Sequence, residues 1–232
     1  DGDGTGDLRG AALRLPHVYL AYSYGTHFKI ARYDYDASTG RLGARTDILT
    51  GLPASRDHDS GRLLIGPDDK LYYTIGDQGN NQFDRACLRN RAQDVGVLEG
   101  KVLRINLDGS VPADNPLGGY VYSYGHRNPQ GLVFANGRLY SSEQGPKTDD
   151  EVNWIRPGRN YGWPLVAGYA DGKAYDYANW SASAACRAFS DYEIPPSVPV
   201  HAEAEPPAFA APLRTFFTVA DGYDFRDPRC AA

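Results

Sequence analysis

No window of a dozen residues shows a clean 3.6-residue hydrophobic period free of Gly or Pro. The patterned runs alternate instead, as strands do. Lys29-Ile30-Ala31-Arg32-Tyr33-Asp34-Tyr35-Asp36 ends in the turn Ser38-Thr39-Gly40. Lys101-Val102-Leu103-Arg104-Ile105-Asn106-Leu107 ends in Asp108-Gly109. Two other segments predict hairpins, each an apolar run, a turn and a second run. Leu63-Leu64-Ile65 turns at Gly66-Pro67-Asp68-Asp69 into Lys70-Leu71-Tyr72-Tyr73. Leu132-Val133-Phe134 turns at Ala135-Asn136-Gly137 into Arg138-Leu139-Tyr140.

These runs repeat in order. Arg32 and Arg104 lie 72 residues apart, and Leu71 and Leu139 lie 68 apart. A period of about 70 exceeds the roughly 40–50 of common propeller blades, so it predicts four-stranded blades with long loops. A plain antiparallel sandwich is the alternative. The expected fold class is all-β, and residues 1–232 read as one propeller domain of about three blades. Closed propellers have about 4–8 blades, so such a chain covers about half of a ring. Ala182–Ala211, rich in Ala, Pro and Glu, reads as a long inter-strand excursion with room for one short helix.

Composition narrows the class. Apolar residues are 41% and charged residues 23%, a globular balance. With 24 Lys and Arg against 29 Asp and Glu, the net charge is −5, which argues against nucleic-acid binding. No run approaches the roughly 18 apolar residues of a membrane helix. The 17 Tyr, 26 Gly and 16 Pro suit short strands and tight turns. The chain has no Met and no signal peptide, so it is expected to be processed or a piece of something larger. Its three cysteines, Cys87, Cys186 and Cys230, cannot all pair with one another.

Candidate chemistry sits at the hairpin ends. His58, in Ser55-Arg56-Asp57-His58-Asp59-Ser60-Gly61, precedes one hairpin, whose return strand runs into Gly76-Asp77-Gln78-Gly79. Asp77 could therefore orient His58 as a general base. Both could equally be polar loop residues bonded to local backbone. Arg127, in Gly125-His126-Arg127-Asn128-Pro129-Gln130-Gly131, precedes the equivalent hairpin and would point towards the same channel mouth. Its planar cation suits carboxylate or enolate oxygens, or a surface salt bridge. Ser142-Glu143-Gln144-Gly145-Pro146 is the counterpart of the segment around Asp77; its carbonyls could face a hard cation, and a simple turn explains it too. Asp1-Gly2-Asp3-Gly4-Thr5-Gly6-Asp7 imitates a calcium loop, but Ala12 stands where an EF-hand needs Glu. Asn160-Tyr161-Gly162-Trp163-Pro164 reads as an aromatic packing turn. No Cys/His spacing fits zinc, and neither a P-loop nor a dinucleotide fingerprint is present.

In order, Asp57 through Asp68, Tyr72 through Gly79, Gly125 through Gly131, Ser142 through Pro146, and Asn160 through Tyr169 closely resemble the soluble quinoprotein glucose dehydrogenases. These enzymes use pyrroloquinoline quinone (PQQ). Asp221 through Cys230 matches more loosely. The resemblance implies a six-bladed propeller of four-stranded antiparallel blades with PQQ across the channel mouth. It implies that a sugar such as glucose is oxidised to its lactone, with His58 as general base, Asp77 orienting it and Arg127 stabilising charge on the cofactor. Arg127, Asn128 and Gln144 match cofactor-binding positions, and Asp57 and Gln82 match positions near the sugar. The carbonyls of Gly145 and Pro146 match ligands of a Ca²⁺ that polarises PQQ. A second Ca²⁺ site, assisting dimerisation, maps onto Ala167, Tyr169, Asp171 and Glu203; an extended chain would put the first three on one side. The family's sugar-contacting Gln is replaced at its nearest match by Thr5. Its aromatic sugar platform and a further Lys and Arg lie beyond Ala232, as does the disulfide partner of the cysteine that Cys230 matches. The resemblance also implies a diffusible electron acceptor, a homodimer of the full-length protein, and a periplasmic or secreted location. Two alternatives come from other classes, a Ca²⁺-dependent propeller lactonase or other hydrolase and a non-catalytic binding propeller.

Overall fold

A computed structural model describes residues 7–80, 82, 85, 88–146, 149–172 and 203–216. They form three four-stranded antiparallel sheets with no α-helix among them. The first sheet is β1 (Leu8–Arg14), β2 (His17–Tyr24), β3 (His27–Asp36) and β4 (Arg41–Pro53), side by side in chain order. The second is β5 (Leu63–Ile65), β6 (Lys70–Ile75), β7 (Lys101–Asn106) and β8 (Val121–Tyr124), also in order. The third is β9 (Pro129–Ala135), β10 (Arg138–Glu143), β11 (Asp150–Ile155) and β12 (Arg214–Phe216). Each strand pairs with the next in chain order; tight turns close β5–β6 and β9–β10, whereas long segments join β6 to β7 and β11 to β12.

The expected hairpins are β5–β6 and β9–β10, paired Leu64 to Tyr72 and Leu139 to Phe134. The repeated runs also hold equivalent places, because Arg32 and Arg104 lie on the third strands of their sheets. The first strands β1 and β5 are in contact, and so are β5 and β9, as expected where blades meet around an axis.

The middle sheet shows what stacks the blades. Alternate residues of β6 and β7 leave by opposite faces. Leu71, Tyr73, Ile75, Leu103 and Ile105 pack with Tyr19, Phe28, Ile30 and Leu52 of the first sheet. Tyr72 and Val102 pack with Leu132, Leu139 and Ile155 of the third. Both faces of β7 are therefore buried, whereas β10 and β11 alternate between buried and more open positions. A strand covered on both sides must pair the charged residues it buries, so Lys101 donates to the Ala92 carbonyl and Arg104 pairs with Asp68 and Asp114.

The excursion expected at Ala182–Ala211 lies mostly outside the described residues. The part that is described, 203–211, is irregular and leads into β12, so the excursion falls between β11 and β12 of one sheet. Cys87, Cys186, Cys230, Thr5 and Asp221 through Cys230 also lie outside the described residues.

Candidate active site

Loops at one end of the sheets carry the candidate residues. Residues 55–61 lead into β5, 76–80 leave β6, 125–128 lead into β9 and 144–146 leave β10. In each hairpin the strand that enters and the strand that returns meet at this end, so four loops from two adjacent sheets converge. The backbone ties them: Asp77 N donates to Arg127 O at 2.8 Å, and Gln144 N to Asn128 O at 3.1 Å.

His58 and Asp77 are brought together across 19 residues, with His58 Nδ1 and Asp77 Oδ1 2.7 Å apart. Both are buried, Asp77 completely. Four more donors converge on that carboxylate. Gly79 N reaches Oδ1 at 2.9 Å. Gln82 Nε2 at 2.8 Å, Asn90 Nδ2 at 2.8 Å and Trp163 Nε1 at 2.6 Å all reach Oδ2. Burial alone would raise the Asp77 carboxyl; the His58 hydrogen bond and charge, then Arg127 and the Gly79 N–H, outweigh it and hold it below the usual range. An ionised Asp77 requires the proton of neutral His58 to sit on Nδ1, leaving a lone pair on Nε2. Asp57 Oδ1 lies 3.6 Å from that nitrogen and accepts the His58 backbone N–H at 2.9 Å.

His58 stands at φ 50°, a left-handed conformation unusual for a non-glycine residue. Gly76 explains how it fits, because a Cβ there would overlap the His58 carbonyl oxygen.

Gln82 joins the two halves of the site. It donates to Asp77, and its Oε1 accepts from Arg127 Nε at 2.9 Å. This amide, expected beside the sugar, keeps a second lone pair on Oε1 beyond the one Arg127 uses. Arg127 Nη1 donates to the carbonyls of Gln144 at 3.1 Å and Gly145 at 2.9 Å. Its Nη2 makes no hydrogen bond among the described residues. Asn128 Nδ2 donates to Gln144 Oε1 at 2.9 Å, while Asn128 Oδ1 accepts from Ser60 Oγ at 3.0 Å. The Gly145 N–H is held by Asp150 Oδ1 at 2.8 Å, and Pro146 is buried.

Ala167, Tyr169, Asp171 and Glu203 form a separate group. Residues 165–172 are not extended, as the alternating spacing suggested. They bend, with Gly168 and Gly172 at positive φ and Asp171 N bonded to Tyr169 O at 2.8 Å. Two glycines permit this turn where side chains would be strained. Glu203 reaches it from another segment, accepting from Ala167 N at 2.9 Å and Gly172 N at 2.8 Å. The Glu203 carboxyl is pushed up to about 7, first by burial and then, against those N–H donors, by the charges of Asp171 and Asp149. Among the described residues no three His, Cys, Asp or Glu side chains are grouped to hold a metal, so any cation here depends on carbonyls as well.

Asn90, Trp163, Ser60 and Glu143 were not expected here. Glu143 accepts from Arg127 N and contacts His126 Nδ1 at 2.8 Å, fixing the chain that presents Arg127. The turn at Trp163, expected to be packing, donates to Asp77 from 86 residues away. Polar loop residues at such separations carry no periodic signal; the one available hint was an indole N–H, which seeks an acceptor when buried.

The sequence profile of the Glucose / Sorbosone dehydrogenase family matches residues 14–199. "Quinoprotein glucose dehydrogenase B" of Acinetobacter calcoaceticus is 45% identical over 268 aligned positions, covering 99% of this chain and 56% of that protein. The PQQ-bound aldose sugar dehydrogenase of Streptomyces coelicolor superposes with a TM-score of 0.67 at 31% identity, covering 94% of this chain and 55% of that one. An oxidoreductase of Thermus thermophilus gives 0.66 at 31% identity, covering 92% and 57%. The chain spans about half the length of these relatives.

Proposed function

We propose, from the premise that the chain belongs to the glucose/sorbosone dehydrogenase family, that it carries the base and the cofactor-facing cation of a PQQ- and Ca²⁺-dependent sugar dehydrogenase. The observation that carries this reading is one bridging amide: Gln82 binds Asp77, the partner of His58, and Arg127 at once. An imidazole with a free lone pair and a buried guanidinium are thereby held in one rigid network.

The residues suit the cofactor. PQQ is planar and anionic; among the described residues nothing engages Arg127 Nη2, and Gln144 is exposed with its Oε1 supplied by Asn128. The carbonyls of Gly145 and Pro146 would hold Ca²⁺, the Gly145 oxygen keeping a second lone pair beyond the one Arg127 uses. At the second site, a half-buried Glu203 beside Asp171 and Asp149 is the charge arrangement that a cation relieves. When bound, PQQ supplies the acceptor for the hydride that leaves the anomeric carbon of the sugar.

His58 Nε2 takes the proton of the anomeric hydroxyl, and the sugar leaves as its lactone. Asp77 keeps the other ring nitrogen protonated and stabilises the imidazolium as it forms. Arg127 sets positive charge where the cofactor gains negative charge, in a buried setting that strengthens the effect. Asp57 lies close enough to Nε2 to hold a sugar hydroxyl beside it. A diffusible acceptor, a dimer built at the second Ca²⁺ site and a periplasmic or secreted location belong to the same reading. The relatives are named as dehydrogenases, which does not favour the hydrolase or binding-module alternatives.

The test is the absorbance of bound PQQ in the full-length protein, before and after glucose. His58→Gln should keep PQQ binding and slow its reduction by about 10²–10⁴-fold. Reduction at the unsubstituted rate removes His58 as the base.

A further inference from the structure

Resting on that reading, we propose that Trp163 is a positioning residue for the His58–Asp77 pair, its indole N–H fixing the carboxylate and its ring bracing Arg127. Trp163 is buried, and Nε1 lies 2.6 Å from Asp77 Oδ2. The Arg127 guanidinium carbon sits 5.4 Å from the centre of its ring. One side chain therefore touches both the partner of the base and the cation. Gln82 does so too, but an amide can rotate, whereas a bicyclic ring packed on a cation cannot turn without losing both contacts.

The ring is anchored from behind. Trp163 N donates to Gly125 O at 2.9 Å, and Trp163 O accepts from Gln93 Nε2 at 2.7 Å. Gly125 N in turn donates to Ala92 O, which also accepts from the buried Lys101 Nζ at 2.8 Å. The loop carrying Asn90 to Asp77, the loop carrying Arg127 and the Trp163 turn are thus one hydrogen-bonded unit.

The consequence for His58 has a sign. An N–H on Oδ2 draws charge away from Oδ1, the oxygen that holds His58. Removing it returns charge to Oδ1 and strengthens the bond to Nδ1–H. The charged groups facing this pair are Asp57, 3.6 Å from Nε2, Asp59 on the same loop, and Arg127, which acts on Asp77. None replaces the lost donor on Oδ2.

Two measurements on the full-length protein test this. Trp163→Phe keeps a ring and deletes the N–H. In cofactor-free protein the His58 Nδ1–H resonance, assigned by its loss in His58→Gln, should move downfield. In the loaded enzyme the acid limb of the kcat/KM profile should rise by about half a pH unit. Fluorotryptophan labelling makes the indole a stronger donor with little change of shape, so both readouts should move the opposite way. That second shift should vanish when the label is placed in Trp163→Phe, which separates Trp163 from Trp154 and Trp180. If the substituted protein does not fold, fluorotryptophan incorporated at position 163 alone decides, with the same opposite shifts expected. A resonance and a pH limb that stay put, with only thermal stability lowered, would reduce Trp163 to packing and overturn the proposal. If His58→Gln keeps its turnover but the resonance still moves with Trp163, the base assignment fails and the positioning role stands.

Discussion

Asp77 is the residue on which most of the site turns. Five donors meet its two oxygens in a position closed to water. A neutral amide there could not accept from all five, and each buried donor left unpaired costs about 1–3 kcal/mol. Asp77→Asn is therefore expected to lower the melting temperature and to reduce turnover by about 10³–10⁴-fold, through the wrong His58 tautomer. Circular dichroism melts and steady-state rates on one preparation check both. The pH response follows from the same carboxylate. Its folded value lies below the unfolded one, so its stabilisation is complete above the unfolded value and is lost as pH falls through the folded value. Urea unfolding at a series of acidic pH values should show that loss, and Asp77→Asn should flatten it. Parallel curves for the two proteins would contradict the assignment.

At the level of elements, the turns matter more than the strands. β6 ends at Ile75 so that Gly76 can pass against the His58 backbone, a contact only a residue without a side chain can make. Gly76→Ala should displace His58 or the Arg127 loop, at a cost of about 1–3 kcal/mol or more. Weakened PQQ binding together with a lower denaturation midpoint would mark that displacement; normal binding would not fit it. At the start of β7, Lys101 is fully buried and spends its ammonium on the carbonyls of Arg91, Ala92 and Glu99. Lys101→Met fills similar space and leaves those carbonyls short of a donor, so a loss of about 2 kcal/mol or more is expected. Hydrogen exchange should quicken in residues 91–99 before the β6–β7 core opens. Equal protection in the two proteins would mean that the loop does not depend on Lys101.

For the whole molecule, the second candidate cation site couples charge to the fold. A carboxyl raised in the folded state favours folding while it is protonated. The contribution of Glu203 is therefore largest below its ordinary value of 4.5 and is lost as pH rises towards about 7, where its charge is buried beside Asp171 and Asp149. Without Ca²⁺ the melting temperature of the full-length protein should fall over that window. Saturating Ca²⁺ should remove the fall, since an ion that binds only the folded state stabilises it. Glu203→Gln should abolish both the fall and the Ca²⁺ effect. Melting curves that are indifferent to Ca²⁺ across the window would empty this site of its proposed role.

How much of this was legible in the chain depends on distance along it. Alternation and Gly-bearing turns located β5–β6 and β9–β10, because a hairpin is specified by neighbours. Equal positions within a repeat placed His58 and Arg127 at one end, because repeated hairpins stack in register. The Ala167–Asp171 spacing misled, since two glycines with positive φ turn a run that alternation alone would extend. Asn90, Trp163 and Glu143 were unreadable as site residues. Their partners lie 13, 86 and 16 residues away, in loops that owe no period to a core.

By itself, then, the sequence determined the strand pattern, the repeat and the kinds of side chain available, all of which follow from local periodicity and turn chemistry. Only the tertiary structure decided which polar groups share a buried carboxylate, because that depends on how adjacent sheets stack and bring distant loops within hydrogen-bond reach.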